Sequence, residues 1–463
     1  MILAEVLSLA VFNLPVLSLP LLVLVGVATF VLSWKNLEWG IYILFAELFF
    51  GSRGHLLEYD LGFVGLSLRL VIFFAVFMAW LLKFSIFNFQ FSKQLPKSYL
   101  LLLFVICFGI LNGYLHGNGI GNVFNDANGY LYLLILPAVL SAIKTRQQID
   151  NILEILAAAI IIIALKTLTL FAWFTFGFAG VSTAYEWILR QDFGEITGVV
   201  GSASRIFMQS QFWALMGFFI FAFFEKKNWL VIAAAVLSII MSLSRSFWLG
   251  LAAGGLFALV MLLWHRPAST RLGEAGASFR YVFSLALKIL LIAAIEIVAL
   301  YALVNLGGGK FAEAVASRGG NPVTEAAGNA RLLQLPVLFD AIKQSPIIGS
   351  GFGKELTFKS YLTAKITKEN PEGSITSYAF EWGYLDIMLK IGAVGLLVYA
   401  FFVAGIFKNL ELRIENLGFL SALVALLILN ITTPYLNHPL GIGYLIFVYS
   451  YLFVIRKVNE AAG

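Results

Sequence analysis

Long apolar runs follow one another along almost the whole chain, broken by short polar connections and by one extended polar stretch. A helix that crosses a bilayer needs roughly 20 mostly apolar residues. Runs near that length lie at 14–34, 67–83, 98–115, 127–143, 151–176, 206–224, 229–243, 246–264, 281–304, 382–407, 417–432 and 440–455. A further run at 37–50 is short for a bilayer, which suits a tilted, extended or partly re-entrant segment, and residues 1–13 suit an interfacial helix or half of a hairpin. The N-terminus (MILAEVLSLA) has no basic n-region and gives no sign of a cleavable signal peptide. The pattern predicts an all-α polytopic membrane protein of about 12–14 transmembrane helices. It divides into a bundle over 1–304, a loop region with short helices over 305–381, and C-terminal spans over 382–463.

The polar connections alternate in charge. One set holds Lys83, Lys93 and Lys97; Lys144 and Arg146; Lys226 and Lys227; Arg266, Arg271 and Arg280; Lys408 and Arg413; Arg456 and Lys457. The short loops of the other set, 116–126 and 433–439, hold no Lys or Arg. Short cytoplasmic loops carry the excess of basic residues, so the first set and the C-terminus are expected in the cytoplasm. Residues 51–66, 177–205 and 305–381 are then expected outside. The last of these is the only sizeable polar region, punctuated by NLGGGK, GGNP, QSPIIGSGFG and ENPEG, with an amphipathic helical piece around 326–344.

Composition narrows the classes further. Hydrophobic residues make up 60% of the 463 and charged residues 12%, against about 25% charged in an ordinary soluble domain. The net charge of +6 follows from the loop asymmetry and does not call for a nucleic-acid partner. A single cysteine, Cys107, within LLLFVICFGI, excludes an intrachain disulfide and a thiolate metal cluster and reads as a packing residue. HExxH, a P-loop, paired CxxC and a usable GxGxxG are absent.

The candidate chemistry lies in the outer segments. Arg205 (VVGSASRIFMQSQFW) stands at the outer end of a span, and Arg245 (MSLSRSFWLGLAAGG) in a tight turn between two spans. Arg318 (ASRGGNP) and Arg331 (GNARLLQLPVLFDAIKQSPIIGSGFG) stand in the long loop. A guanidinium at a membrane edge either binds phosphate through its planar fork or anchors the chain to headgroups. Glu47, Lys166, Glu296, Asp386 and Lys390 fall within spans, where a charge marks either function or an internal ion pair. Asp386 and Lys390, four residues apart, suit a pair on one helix face. Lys166 suits either structural pairing or, if its face lines a cavity, contact with a lipid diphosphate. Most of the aromatic residues read as lipid-facing or packing groups, and Trp187, Trp213, Trp248 and Trp382 as an interfacial belt.

In combination, Arg205, SLSRSFWLGLAAGG, ARLLQLPVLFDAIKQSPIIGSGFG and the following EWGYLDIMLKIGAVG resemble the O-antigen ligase and polymerase superfamily over roughly residues 195–405. The first 190 residues share with it only their hydrophobic spans. The resemblance implies a membrane glycosyltransferase that moves a glycan from undecaprenyl diphosphate without a metal. Ligases of this family usually carry a His-Asn pair just before the Tyr-Leu that opens the span after the long loop. Here that place reads Glu381-Trp382-Gly383-Tyr384-Leu385, and none of the four histidines, His55, His116, His265 and His438, stands there. Glu381 is therefore the candidate acid/base group, or else a structural ion-pair partner; burial near a membrane boundary raises a carboxylate pKa and would suit a base. His438, in TPYLNHPLG, is the second candidate.

In this reading Arg205, Arg245 and Arg331 hold the diphosphate of an undecaprenyl-diphosphate-linked oligosaccharide, with Arg318 and Lys166 as further candidates. Glu381 deprotonates an acceptor hydroxyl, which inverts the anomeric carbon. The acceptor is another lipid-linked unit in a polymerase of O-antigen, capsule or exopolysaccharide, or a lipid A core or other surface acceptor in a ligase. The missing histidine favours the polymerase. The partners are then membrane lipids, the lipid-linked donor and a glycan or lipid-linked acceptor, in a bacterial cytoplasmic membrane. A transporter or lipid-linked glycan flippase is the alternative, with Lys166, Glu296 and Asp386 along a pathway; the paired internal repeats usual in transporters are not visible. The charge pattern predicts that a cysteine placed in 305–378 reacts with an impermeant reagent added outside, and that one at 270–278 does not. Reversed labelling would remove the extracytoplasmic mechanism.

Overall fold

Every apolar run forms helix in the computed structural model, which describes residues 1–463 except 61, 63–64, 84–94, 201–202, 225–226, 265–271, 311–312, 314–325, 360–369, 371–372, 411–413 and 463. Lys93, Lys226, His265, Arg266, Arg271, Arg318 and Arg413 thus lie outside the described residues. The first ten helices are α1 (Ile2–Asn13), α2 (Ser18–Lys35), α3 (Leu37–Phe50), α4 (Leu68–Lys83), α5 (Lys97–Leu115), α6 (Ile120–Leu131), α7 (Leu136–Ala142), α8 (Arg146–Phe176), α9 (Val181–Arg190) and α10 (Gln211–Phe223). They are followed by α11 (Trp229–Ser242), α12 (Arg245–Trp264), α13 (Leu272–Leu306), α14 (Ala326–Gln344), α15 (Gly383–Asn409), α16 (Ile414–Leu429) and α17 (Pro439–Ala462). The protein is an all-α, multi-pass membrane protein. Among the described residues eight helices are long and apolar enough to cross a membrane by themselves. The other expected spans are helices of 13 to 16 residues.

Three two-stranded antiparallel hairpins were not expected from the sequence: β1 (Glu58–Asp60) with β2 (Gly65–Ser67), β3 (Gly194–Val200) with β4 (Ala203–Met208), and β5 (Leu356–Lys359) with β6 (Ser374–Ser377). All lie in the segments that the charge pattern places outside.

Helix starts follow ordinary capping chemistry. Thr145 and Gln148 form a reciprocal capping box at the start of α8, and the Asn36 side chain accepts from the Glu38 amide at the start of α3. The small-residue face of α12 packs directly on α16, where a Cβ added at Gly254 would lie 2.7 Å from the Ser421 carbonyl oxygen.

Contacts sort the connections into two ends. At one end Lys83 Nζ donates to the Trp34 carbonyl at 3.1 Å, Gln148 to Glu38 at 2.8 Å, and Arg456 to Asn409 at 3.3 Å. These are the Lys- and Arg-rich connections. At the opposite end Ser52 meets Ser210 at 3.2 Å, and Tyr435 meets Gln209 at 3.5 Å. Asn118 there donates to the Phe352 carbonyl at 2.8 Å. These contacts join neighbouring connections of the same charge set.

Helix α15 is interrupted at Gly392, whose φ of 66° and ψ of −172° break the helical ladder. The break frees the carbonyls of Leu389 and Lys390 and the amides of Ala393 and Val394. The SPIIGSGFG loop after α14 bonds all four. Ser350 N–H donates to Leu389 at 2.7 Å and Gly351 N–H to Lys390 at 3.0 Å, while Ala393 and Val394 donate to the carbonyls of Pro346 and Ile347 at 2.9 and 3.2 Å. The loop lies equally close to α5, with Phe352 N–H donating to Gly109 at 3.1 Å and Asn112 to the Gly349 carbonyl at 3.0 Å. A Cβ on Gly351 (φ +79°) would stand 2.1 Å from the Gly113 amide nitrogen, so only glycine fits. Gly351→Ala should therefore lower the melting temperature in detergent well beyond the change from Gly117→Ala. Gly117 also has positive φ (+74°) but open space around it, and bears only the backbone strain of roughly 1–3 kcal/mol. Equal shifts for the two variants would show that the inserted loop does not hold the break.

Candidate functional site

The docked loop ends on a carboxylate. Gly353 N–H donates to Asp126 Oδ2 at 2.8 Å, and the other oxygen of Asp126, on α6, accepts from Lys390. Lys390 also donates to Asp386 Oδ2 at 2.6 Å, the expected i,i+4 pair. Asn437, from the loop before α17, donates to that same Asp386 oxygen. Lys390 is 2% exposed and Asp386 1%. A buried ammonium of this kind is tolerated because its charge is compensated on two sides. Three distant parts of the chain, α6, α15 and the 433–439 loop, thus converge on one charged cluster.

Beside it opens a cavity of about 450 Å³, within the range of small-molecule sites. Arg69, at the start of α4, forms one wall. Its guanidinium donates to Glu47 through Nε at 2.9 Å and Nη2 at 3.1 Å, and to the Ser52 carbonyl at 2.8 Å. The intramembrane carboxylate Glu47 therefore has a bidentate partner. Arg53, also in the wall, pairs with Asp192 at 2.5 Å, and His55 with Glu58 at 2.9 Å.

His438 lines the same cavity and accepts the Leu440 amide on Nδ1 at 3.2 Å. His438 is half-buried in the chain. Burial, and then the charges of Arg69, Arg53 and His55, push its pKa well below the usual imidazole range.

The other expected residues fall into two pairs. Arg331, on α14, and Glu381 form an ion pair, both side chains partly exposed (38% and 45%). Trp382 Nε1 donates to the Arg331 carbonyl at 2.8 Å, and Glu381 N–H to Gln334 at 3.2 Å, so α14 is fixed to the start of α15. Tyr378, Ala379 and Phe380, immediately before Glu381, line the cavity. Arg205, on β4, pairs with Glu195 on β3 at 3.0 Å and donates from Nε to the Ser242 carbonyl at 2.9 Å. It thereby meets the turn that leads into Arg245. Lys166 lies away from both pairs: it donates to Glu5 at 2.6 Å and sits over the ring of Phe193 at 4.3 Å. That is the structural pairing that its depth in the span suggested.

Sequence reasoning missed Arg53, Arg69 and Asp126. Arg69 stands at the third position of an apolar run and reads as an interfacial anchor; Asp126 stands in a loop without basic neighbours. A usable signal was present for neither, because their partners are far away in sequence. A structural signal does mark the site. The three non-glycine residues of positive φ among the described residues are Ser52, Asp192 and Leu243. They stand next to Arg53, in its ion pair, and in the turn held by Arg205. Strain of this kind clusters at functional sites.

The fold and this cluster define a multi-pass membrane protein with a charged, polar cavity at one end of its bundle, walled by segments from both halves of the chain. Residues 230–400 match the family model described as O-antigen ligase. The resemblance to the O-antigen ligase and polymerase superfamily is thereby borne out over that stretch. No curated protein shows significant similarity to the chain. The matched stretch contains Arg245, Arg331, Glu381, Asp386 and Lys390; Arg205 and the opposite cavity wall lie outside it.

The low pKa of His438 makes a pH prediction. An unfolded histidine takes a proton near pH 6.5, whereas His438 in the folded chain does so only at lower pH. The stability it contributes is therefore fully present above about pH 6.5 and lost as pH falls below it. His438→Gln should show a smaller drop in melting temperature between pH 8 and pH 5 than the parent protein. An unchanged drop would place the acid sensitivity elsewhere.

Proposed function

We propose that the chain transfers an oligosaccharide from undecaprenyl diphosphate to an acceptor hydroxyl at the outer face of a bacterial cytoplasmic membrane. The observation that carries this reading is the Arg331–Glu381 ion pair, inside the family-matched stretch and adjoining the cavity wall at Tyr378–Phe380. Arg331 and Arg205 each sit against one carboxylate. A diphosphate, with more charge and more acceptor oxygens, competes for both guanidinium forks. Arg245, in the turn beside Arg205, adds to that cradle. When Arg331 turns to the diphosphate, Glu381 is freed for the acceptor.

The carboxylate of Glu381 then takes the hydroxyl proton as the acceptor oxygen bonds to the anomeric carbon. The bond from that carbon to the diphosphate breaks, and undecaprenyl diphosphate leaves with the electron pair, its charge stabilised by the arginines. Attack opposite the leaving group inverts the anomeric centre. The step requires only these side chains and the activated donor. The absence of the family's histidine supports a lipid-linked acceptor, and hence a polymerase, over a ligase.

Glu381→Gln should bind donor yet transfer about 10²–10⁴-fold more slowly, the usual loss when a general base is removed. Arg205→Lys and Arg331→Lys should also lose most activity although they keep the charge, because an ammonium lacks the planar fork. Glu381→His should recover part of the rate if the position is what the family shares. In a transfer assay with lipid-linked repeat units, a normal rate for Glu381→Gln would place the base elsewhere, with His438 next in line.

A further inference from the structure

Two helices fix the depth of the loop that docks at Gly392. Past the break, α15 continues from Ala393 to Asn409, a rise of about 24 Å at 1.5 Å per residue. Its far end carries Lys408 and lies among the Lys- and Arg-rich connections, where Asn409 accepts from Arg456. A hydrocarbon core is roughly 30 Å thick, so a core that begins at this basic end reaches beyond the break. Any tilt shortens the rise along the bilayer normal and sets Ala393 deeper. Helix α5 gives the same answer. Phe352 N–H bonds the Gly109 carbonyl, and Gly109 stands only about 18 Å along α5 from Lys97 at its basic start.

The backbone of the loop has the partners that hydrocarbon demands. The carbonyls of Pro346 and Ile347 accept from Ala393 and Val394. Gly349 N–H donates to the Ser345 carbonyl at 3.0 Å, and the Ser345 hydroxyl to the Gly349 carbonyl at 2.7 Å. The side chains at the tip are apolar and point outward: Ile347 is 65% exposed and Ile348 45%. Ile347 is bonded to Val394, and Val394, Leu397 and Phe401 are exposed in turn, at the spacing of one helix face. The two isoleucines therefore prolong the lipid-facing row of a membrane span.

We infer that residues 346–348 form a re-entrant tip, seated among the acyl chains of the leaflet that the charge pattern places outside, with Ile347 and Ile348 in contact with lipid. The partner of this surface is the membrane itself, because the row that it continues belongs to a span. The tip is thus an exception within 305–381, the region that the charge pattern places outside the bilayer. It holds α14 at its end, as the bond from Trp382 to the Arg331 carbonyl holds it near its start. The inference does not depend on the transfer chemistry.

The test uses the full chain in lipid nanodiscs, with Cys107→Ala as background so that each probe reads one added thiol. Ile347→Cys and Ile348→Cys are compared with Leu397→Cys, on the lipid face of α15, and with Thr357→Cys, exposed on β5. A melting curve checks each fold, and either isoleucine position suffices if the other variant fails. Photolabelling of the unaltered chain, by a phospholipid with a diazirine in its acyl chain, needs no variant at all.

Nitroxides at positions 347 and 348 should collide with oxygen as readily as at 397, and with aqueous chelated nickel as rarely, whereas position 357 should show the reverse. An impermeant maleimide should label Ile347→Cys and Ile348→Cys roughly 10-fold or more slowly than Thr357→Cys, since a thiol in hydrocarbon resists ionisation. Mass spectrometry should find acyl-chain adducts at Ile347 or Ile348 of the unaltered chain. Nickel access at 347 and 348 equal to that at 357 would put the tip in water. Exclusion of both oxygen and nickel would put a second copy or a partner helix over it. Either result overturns the inference, as does the absence of acyl-chain adducts.

Discussion

A chain buried in hydrocarbon has no water to satisfy a broken helix, and the interruption of α15 at Gly392 is the constraint on which the site depends. The interruption frees four backbone groups, and each is bonded by the 346–351 loop. Irregular backbone at membrane depth is tolerated only where protein or a water-filled cavity supplies such partners. The glycines of the same loop let it come within backbone contact of α5 and α6 as well. In this way a local need for hydrogen bonds fixes three helices at one point.

The charged cluster follows from that arrangement. Once Gly353 is held on Asp126, the carboxylate faces Lys390 across the helix interface. The Asp386–Lys390 spacing then places a second carboxylate on the other side of the same ammonium. Asn437 completes the arrangement from the 433–439 loop. Electrostatics here does not drive the assembly. It locks a geometry that backbone bonding has already selected, since a buried ion pair roughly balances its own desolvation.

The helices were legible in the sequence because length and apolarity are local properties. The 14-residue run at 37–50 was read as short, and it is a short, largely buried helix. Glu381 was singled out through family likeness, with an ion pair as one of its two readings, but Arg331 as its partner was not legible, because 50 residues separate them. Arg69 and Asp126 escaped notice for the same reason. Asp126 meets Lys390 across 264 positions, and neither run of sequence hints at the other. The β3–β4 hairpin was hidden differently. Its strands, GEITGVV and ASRIFM, do hold strand-favouring Ile, Thr, Val and Phe, but the second runs into the apolar stretch read as a span from residue 206.

The spacing of Asp386 and Lys390 also bears on how the chain enters the bilayer during synthesis. A lone charge in an inserting helix costs up to about 2.5–3.5 kcal/mol, the value at the helix centre. One turn apart, they leave the ribosome almost together and enter lipid as a self-neutralised pair, before any tertiary partner is in reach. Asp126, on α6, is made hundreds of residues earlier and meets Lys390 only once α15 is made. The cavity is therefore a late product of biogenesis. Its floor exists only after α15 has inserted, and its last wall only after the 433–439 loop has been translated.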